Sequence, residues 1–166
     1  APNGGGFYIS GGESAVSGAE CVGNTASTGN GGGFFVTGGN ITLSSGSIIS
    51  NTASNGKGGG IYVNGGNFLL QGGYVGNVGA PNSAKYGGGV YSNSGTITIS
   101  TGCIYNNIAS VDGGGGYVNG TLTINSGDIA GNNATNGNGG GFYVNGGTLL
   151  LNGGNIGNAS YPNTAK

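Results

Sequence analysis

The sequence predicts an all-β chain wound as a right-handed parallel β-helix (β-solenoid) of six coils of about 26–29 residues, with three short strands per coil. Three observations predict it. A triple glycine followed by an apolar or aromatic triplet recurs six times, starting at Gly4, Gly31, Gly58, Gly87, Gly113 and Gly139. Period-2 alternation marks the middle of each unit, as in Ile41-Thr42-Leu43 and Leu122-Thr123-Ile124. The apolar stretches are too short and too closely flanked by glycine for helices.

Each unit reads in the same order. In the second unit the strands are Phe34-Phe35-Val36, then Ile41-Thr42-Leu43, then Ile48-Ile49, with Gly-containing turns between them. Ile41/Leu43, Phe68/Leu70, Ile97/Ile99, Leu122/Ile124 and Leu149/Leu151 point inward; Thr42, Thr98 and Thr123 point out. One such unit cannot bury its apolar face alone. Stacking at about 4.8 Å per coil pairs the backbone groups above and below, and six coils give a rod of about 29 Å. The right hand follows from the general preference of parallel crossovers.

Residues 1–166 form a single solenoid domain, with a duplication into two three-coil blocks, 4–86 and 87–166. Units three and six carry a longer Pro-containing turn, Gly79-Ala80-Pro81-Asn82-Ser83-Ala84-Lys85 and Ala159-Ser160-Tyr161-Pro162-Asn163-Thr164-Ala165-Lys166. Ala1-Pro2-Asn3 echoes Ala80-Pro81-Asn82, so the chain is expected to open and close partway through this turn type. Neither end shows the polar cap that isolated solenoids use, and open coil faces template further stacking.

Composition excludes several functions. The chain has 45 glycines, 3 lysines, 4 acids and a net charge of −1, with no histidine. Lys57, Lys85 and Lys166 lie far apart with no arginine among them, which argues against nucleic acid as a partner. No apolar run approaches the roughly 18 residues of a membrane span, and no signal peptide is visible. Glu13, Glu20, Asp112 and Asp128 are widely spread and form no close pair, so neither an enzyme nor a cofactor or metal site is expected. Calcium-binding nonapeptide repeats need an Asp in each repeat, which is missing here. The glycine triplet is no phosphate cradle, because no helix follows and no lysine is placed to reach a phosphate.

Three columns stand out. Asn24, Asn51, Asn77, Asn107, Asn132 and Asn158 form a structural asparagine ladder whose stacked amides close a turn. Tyr8, Phe35, Tyr62, Tyr91, Tyr117 and Tyr143 form an aromatic ladder. Its flanking columns are mostly apolar and lack polar tips, which assigns them to the core and the aromatics to the outside, with Ser92 and Gly116 as interruptions. Such an outer stripe could bind sugar rings, pack on a neighbouring molecule, or stack on itself and stiffen the rod. The third column is the glycine triplet, read as backbone geometry.

Cys21 falls in the column of Ile48, Val75, Ile104, Ile129 and Ile156 and reads as a small core residue. Cys103 falls one position earlier, beside Ser47 and Asp128, and is expected to be more exposed. Three coils, about 14 Å, separate the two cysteines, too far for an intramolecular disulfide. An intermolecular bridge through Cys103 stays open. N-x-S/T sequons occur at Asn40, Asn119, Asn133 and Asn158.

The recurring GGG[FIV]Y followed by I-x-x-N, as in Ile48-Ile49-Ser50-Asn51, Ile104-Tyr105-Asn106-Asn107 and Ile129-Ala130-Gly131-Asn132, resembles the repeats of polymorphic outer-membrane proteins and related adhesin-like β-helix proteins. Those repeats use GGA[ILV] and F-x-x-N; here Gly replaces Ala, and Ile, Val or Cys replaces Phe. The similarity extends over essentially the whole chain, and no stretch corresponds to that family's membrane barrel. It implies a secreted, passenger-type surface protein, often adhesive.

The expected function is that of a structural subunit of an extracellular or cell-surface fibre, partnered with itself through end-to-end coil stacking and lateral contacts. A passenger-type binding module for a host glycan or protein is the alternative, using the aromatic stripe or the turns of coils three and six. Ice binding is a remote third. It needs a regular threonine array, and Ala15, Leu69 and Leu150 break that column.

Overall fold

A computed structural model describes residues 1–166 as an all-β solenoid of six coils, matching a right-handed parallel β-helix. Each strand pairs in parallel with the strand one coil away. The first sheet gathers Phe7–Ile9, Phe34–Val36, Ile61–Val63, Val90–Ser92, Gly116–Val118 and Phe142–Val144. The second runs from Glu13–Val16 through Asn40–Leu43, Asn67–Leu70, Thr96–Ile99 and Thr121–Ile124 to Thr148–Leu151. The third contains Ala19–Val22, Gly46–Ile49, Tyr74–Val75, Cys103–Tyr105, Asp128–Ala130 and Asn155–Ile156.

The expectation of three strands per coil is corrected by a fourth sheet. It consists of Thr52–Lys57, Ser83–Tyr86, Ile108–Ala109, Asn133–Ala134 and Thr164–Ala165, extended to the first coil by a bridge from Thr25 to Thr52. These strands carry small and polar residues, so hydrophobic periodicity does not reveal them. Their inward residue is alanine: Ala53, Ala84, Ala109, Ala134 and Ala165 are in register, and Ala26, Ala53 and Ala84 form a small cluster of their own. The longer turns of coils three and six are shorter than the sequence suggests. Ser83, Ala84 and Lys85, assigned to the turn, belong to this sheet.

The core lies between the first three sheets and takes one inward residue from each alternation. Ile41, Leu43, Phe68, Leu70, Ile97, Ile99 and Leu122 are fully buried. Cys21 stands in register with Ile48, and Val75, Ile104, Ile129 and Ile156 continue the column. The two interruptions are filled locally. Ser92 is fully buried and its hydroxyl donates to the Ser94 carbonyl at 3.1 Å. At Gly116 the missing side chain leaves room for the Phe142 ring, which a Cβ would strike.

At the fourth sheet the coil narrows until backbone meets backbone. A Cβ on Gly32 would collide with Thr52 of the same coil and with the Gly59 carbonyl of the next, and Gly59 meets Ser83 and Gly88 in the same way. The first glycine of each triplet takes a left-handed conformation, with φ of 66° at Gly31 and at Gly58. Glycine therefore serves the triplet twice, by turning the corner and by letting two walls of one coil touch.

Candidate functional site

The asparagine ladder is present, with a corrected membership. It runs Asn24, Asn51, Asn82, Asn107, Asn132, Asn163. Each side-chain Nδ2 donates to the Oδ1 of the next coil, at 2.9 Å for the first step and 3.0 Å for the rest. The same Oδ1 also accepts the backbone N–H of the preceding ladder residue, as from Asn51 to Asn82 at 3.0 Å. The second hydrogen of each Nδ2 goes back one coil to a carbonyl of the third sheet: Asn51 to Cys21, Asn82 to Ile48, Asn107 to Val75, Asn132 to Ile104 and Asn163 to Ile129, all within 2.7–2.8 Å. Because a backbone N–H can only donate, the atom facing it must be the amide oxygen, which fixes the orientation of every amide. Asn51, Asn82, Asn107 and Asn132 are fully buried and each uses its whole hydrogen-bonding capacity.

Asn77 and Asn158, expected in this ladder, lie outside it on the surface. Asn77 accepts the N–H of Val78 on its own Oδ1 at 2.8 Å, and Asn158 accepts the N–H groups of Ser160 and Tyr161. The physical reason is the position of the inserted turn. Ile48 precedes Asn51 by three positions, whereas Val75 precedes Asn82 by seven, so the extra residues sit before the ladder and not after it. The missed signal was in the sequence: an Asn-x-Ala triplet occurs once per coil, at Asn24, Asn51, Asn82, Asn107, Asn132 and Asn163.

The aromatic ladder stands on the outer side of the first sheet, and its rings stack along the axis. Centroids are 5.2 Å apart for Tyr8 and Phe35, 4.9 Å for Phe35 and Tyr62, 5.4 Å for Tyr62 and Tyr91, 4.9 Å for Tyr91 and Tyr117, and 5.0 Å for Tyr117 and Tyr143. Interplanar angles stay at 8–24° through Tyr117, and the last step tilts to 44°. Each inner ring thus has both faces covered by its neighbours. Phe35, Tyr62 and Tyr91 are buried in a cluster separate from the main core. Lys57 Nζ lies 4.7 Å from the Tyr91 ring centre, and Tyr86 meets the Tyr117 ring edge-on. A sugar cannot stack on the inner rings without unstacking the ladder. Burial raises the Tyr62 and Tyr117 hydroxyls above the usual tyrosine range, with neighbouring tyrosines adding to it.

A further polar column that the sequence reading missed precedes the glycine triplets. Asn3 Oδ1 accepts the Asn30 N–H at 2.8 Å, Asn30 Oδ1 accepts the Lys57 N–H at 2.9 Å, and Asp112 Oδ1 accepts the Asn138 N–H at 2.7 Å. The four acids follow the same habit. Each accepts a hydrogen bond from the next coil: Glu13 from Asn40, Glu20 from Ser47, Asp112 from Asn138 and Asp128 from Asn155. The acids are therefore joints between coils.

Both cysteines are free thiols. Cys21 is buried, and that burial pushes its thiol up to about 11 against a small opposing effect of the Asn24 amide. Cys103 is half-buried beside Asp128 and is also raised, chiefly by burial. Of the sequon residues, Asn40 donates to Glu13 and accepts from Asn67, and Asn119 donates to the Tyr91 hydroxyl and accepts from Asn145.

The site is thus a set of axial ladders, with one polar joint repeated at five junctions. No protein-family model, curated protein or solved structure matches the chain.

Proposed function

We propose that the chain is a structural segment of an extracellular or cell-surface fibre that lengthens by stacking coil on coil. The observation that carries this reading is the direction of the asparagine ladder. At all five junctions the earlier coil gives Nδ2–H and backbone N–H, and the later coil gives Oδ1. The other Nδ2–H of each rung returns to a carbonyl of the coil before, so the two faces of a coil differ and complement each other, and the joint is head-to-tail and sets no limit on coil number. Heterologous contacts of this kind, repeated by translation, build open filaments.

The apolar surface agrees. Leu149, Leu151 and Ile156 in the sixth coil are 51%, 57% and 48% exposed, whereas their register partners Leu122, Ile124 and Ile129 are 0–3% exposed. A further coil of the same pattern on this face would bury them, at about 25 cal/mol per Å². The resemblance to surface-protein repeats supports the extracellular placing. The low charge and near-zero net charge favour self-association over repulsion.

Negative-stain microscopy of the purified chain, incubated at rising concentration, tests the reading. Straight unbranched filaments one solenoid wide are expected. Rods of a single short length at every concentration would refute it.

A further inference from the structure

A groove of about 360 Å³ lies on the outer side of the third sheet, between the long turns of coils three and six. Tyr74, Asn77 and Val78 form one wall, Tyr161 the other, and Tyr105 with Asn106 the floor. Its volume lies within the range of small-molecule pockets. The walls are fixed. The coil-three turn is closed by reciprocal backbone hydrogen bonds between Asn77 and Ala80 and held down by Ser50 N–H on the Ala80 carbonyl. In coil six the Gly131 N–H holds the Tyr161 carbonyl at 2.9 Å.

We infer that this groove binds a neutral oligosaccharide. Unlike the stacked ladder, its tyrosines keep open faces: Tyr74 and Tyr161 are 46% and 47% exposed. The floor tyrosine is anchored, since the Tyr105 hydroxyl donates to Asp128 Oδ2 at 3.0 Å and Asp128 is also held by Asn155. The amide groups are uncommitted in part: Asn77 spends its Oδ1 on Val78 N–H and keeps its Nδ2 for a ligand.

Asn106 is the telling residue. It has φ of 54° at a corner where coils one and five use Gly23 and Gly131, with φ of 71° and 68°, and coil two uses Ser50, with φ of 55°. Glycine is the easier choice at such a corner, so asparagine there brings an amide to the groove floor that the backbone does not require. No lysine lines the groove, and its one neighbouring carboxylate is engaged, which leaves nothing to hold a phosphate or sulfate. The strands beneath are paired on both sides, so a peptide finds no free edge to extend. Flat amphipathic rings with amides between them match a ligand that has apolar C–H faces and a rim of hydroxyls.

Calorimetry on the intact chain with cellohexaose, mannohexaose, N-acetylchitohexaose and hexagalacturonate as probes tests this. Saturable binding of at least one neutral hexasaccharide is expected, weakened tenfold or more in Tyr74→Ala/Tyr161→Ala. Asn106→Gly keeps the corner conformation and removes only the amide; it should also bind more weakly while melting at the same temperature. The inference is overturned if no neutral probe binds at millimolar concentration, if both variants bind as the parent does, or if hexagalacturonate alone binds.

Discussion

Asn51 Nδ2 donates to Asn82 Oδ1 at 3.0 Å, although 31 positions separate the two residues and the neighbouring rungs lie 25 or 27 apart. The chain loops out its extra residues as a surface turn and returns to the same rung. The ladder, and not the length of the repeat, therefore sets the register of the coils.

Removing a rung should accordingly cost far more than removing a turn asparagine. Asn82→Ala leaves the buried Asn51 N–H and Nδ2–H without an acceptor and takes one of two donors from the Ile48 carbonyl, which keeps the Gly76 N–H, at roughly 1–3 kcal/mol for each unsatisfied group. A loss of about 3 kcal/mol in denaturant unfolding is expected. Asn77→Ala, at an exposed position outside the ladder, should change stability by about 0.5 kcal/mol or less.

The glycine triplet gives a matched pair of substitutions. Gly32→Ala places a methyl against the backbone of Thr52 and Gly59, which no rotamer can relieve. It should destabilise by about 3 kcal/mol or more, or prevent folding. Gly11 has open space around its Cβ position, so Gly11→Ala should be neutral or stabilising by up to about 1 kcal/mol. Thermal melts of the two variants side by side decide the point.

Truncating the aromatic ladder in its middle should break two stacks at once. Tyr62→Ala removes ring contacts to Phe35 and Tyr91 and opens a gap in the stack between them. A cost of about 3 kcal/mol is expected, with a loss of near-ultraviolet dichroism larger than one tyrosine contributes.

Alkali should unfold the rod through its buried thiol and phenols. The ionisations of Cys21, Cys103, Tyr62, Tyr105 and Tyr117 are all raised in the folded state by burial, and the Tyr105 hydroxyl is held protonated further by the hydrogen bond it donates to the Asp128 carboxylate. The folded state then holds more protons than the unfolded one. Stability from these groups is complete below the unfolded thiol value of 9.0. It falls as pH rises past 9 and 10, and for Cys21 continues to fall until about 11. Unfolding midpoints should be flat between pH 7 and 8.5 and drop above that. Cys21→Ala should lessen the drop at its lower end.

The fold was legible in the sequence because its inward residues obey the simplest rule available. Ile97 and Ile99 alternate with threonines, and the flanking residues of the aromatic column point to the core. The fourth sheet escaped notice because Ala53, Ala84 and Ala109, which stand in register on one another, are small and carry little hydrophobic signal. The ladder was legible in four rungs and misplaced in two. Proximity to the third strand favoured Asn77, while hydrogen-bonding capacity favoured Asn82, and the latter governs burial. The aromatic column was placed on the correct side, but the burial of Phe35, Tyr62 and Tyr91 comes from neighbouring coils and from the residues around Lys57 and Tyr86, which a column by itself does not reveal.

Head-to-tail joining through one polarised coil face is tested most directly by small-angle scattering across a concentration series, comparing the parent chain with Leu149→Asp/Leu151→Asp. The parent should grow in contour length by whole rods of about 29 Å, six coils at about 4.8 Å each. The variant carries charge on the face that a further coil would cover and should stay at one rod. Equal lengths for parent and variant at every concentration would contradict the account.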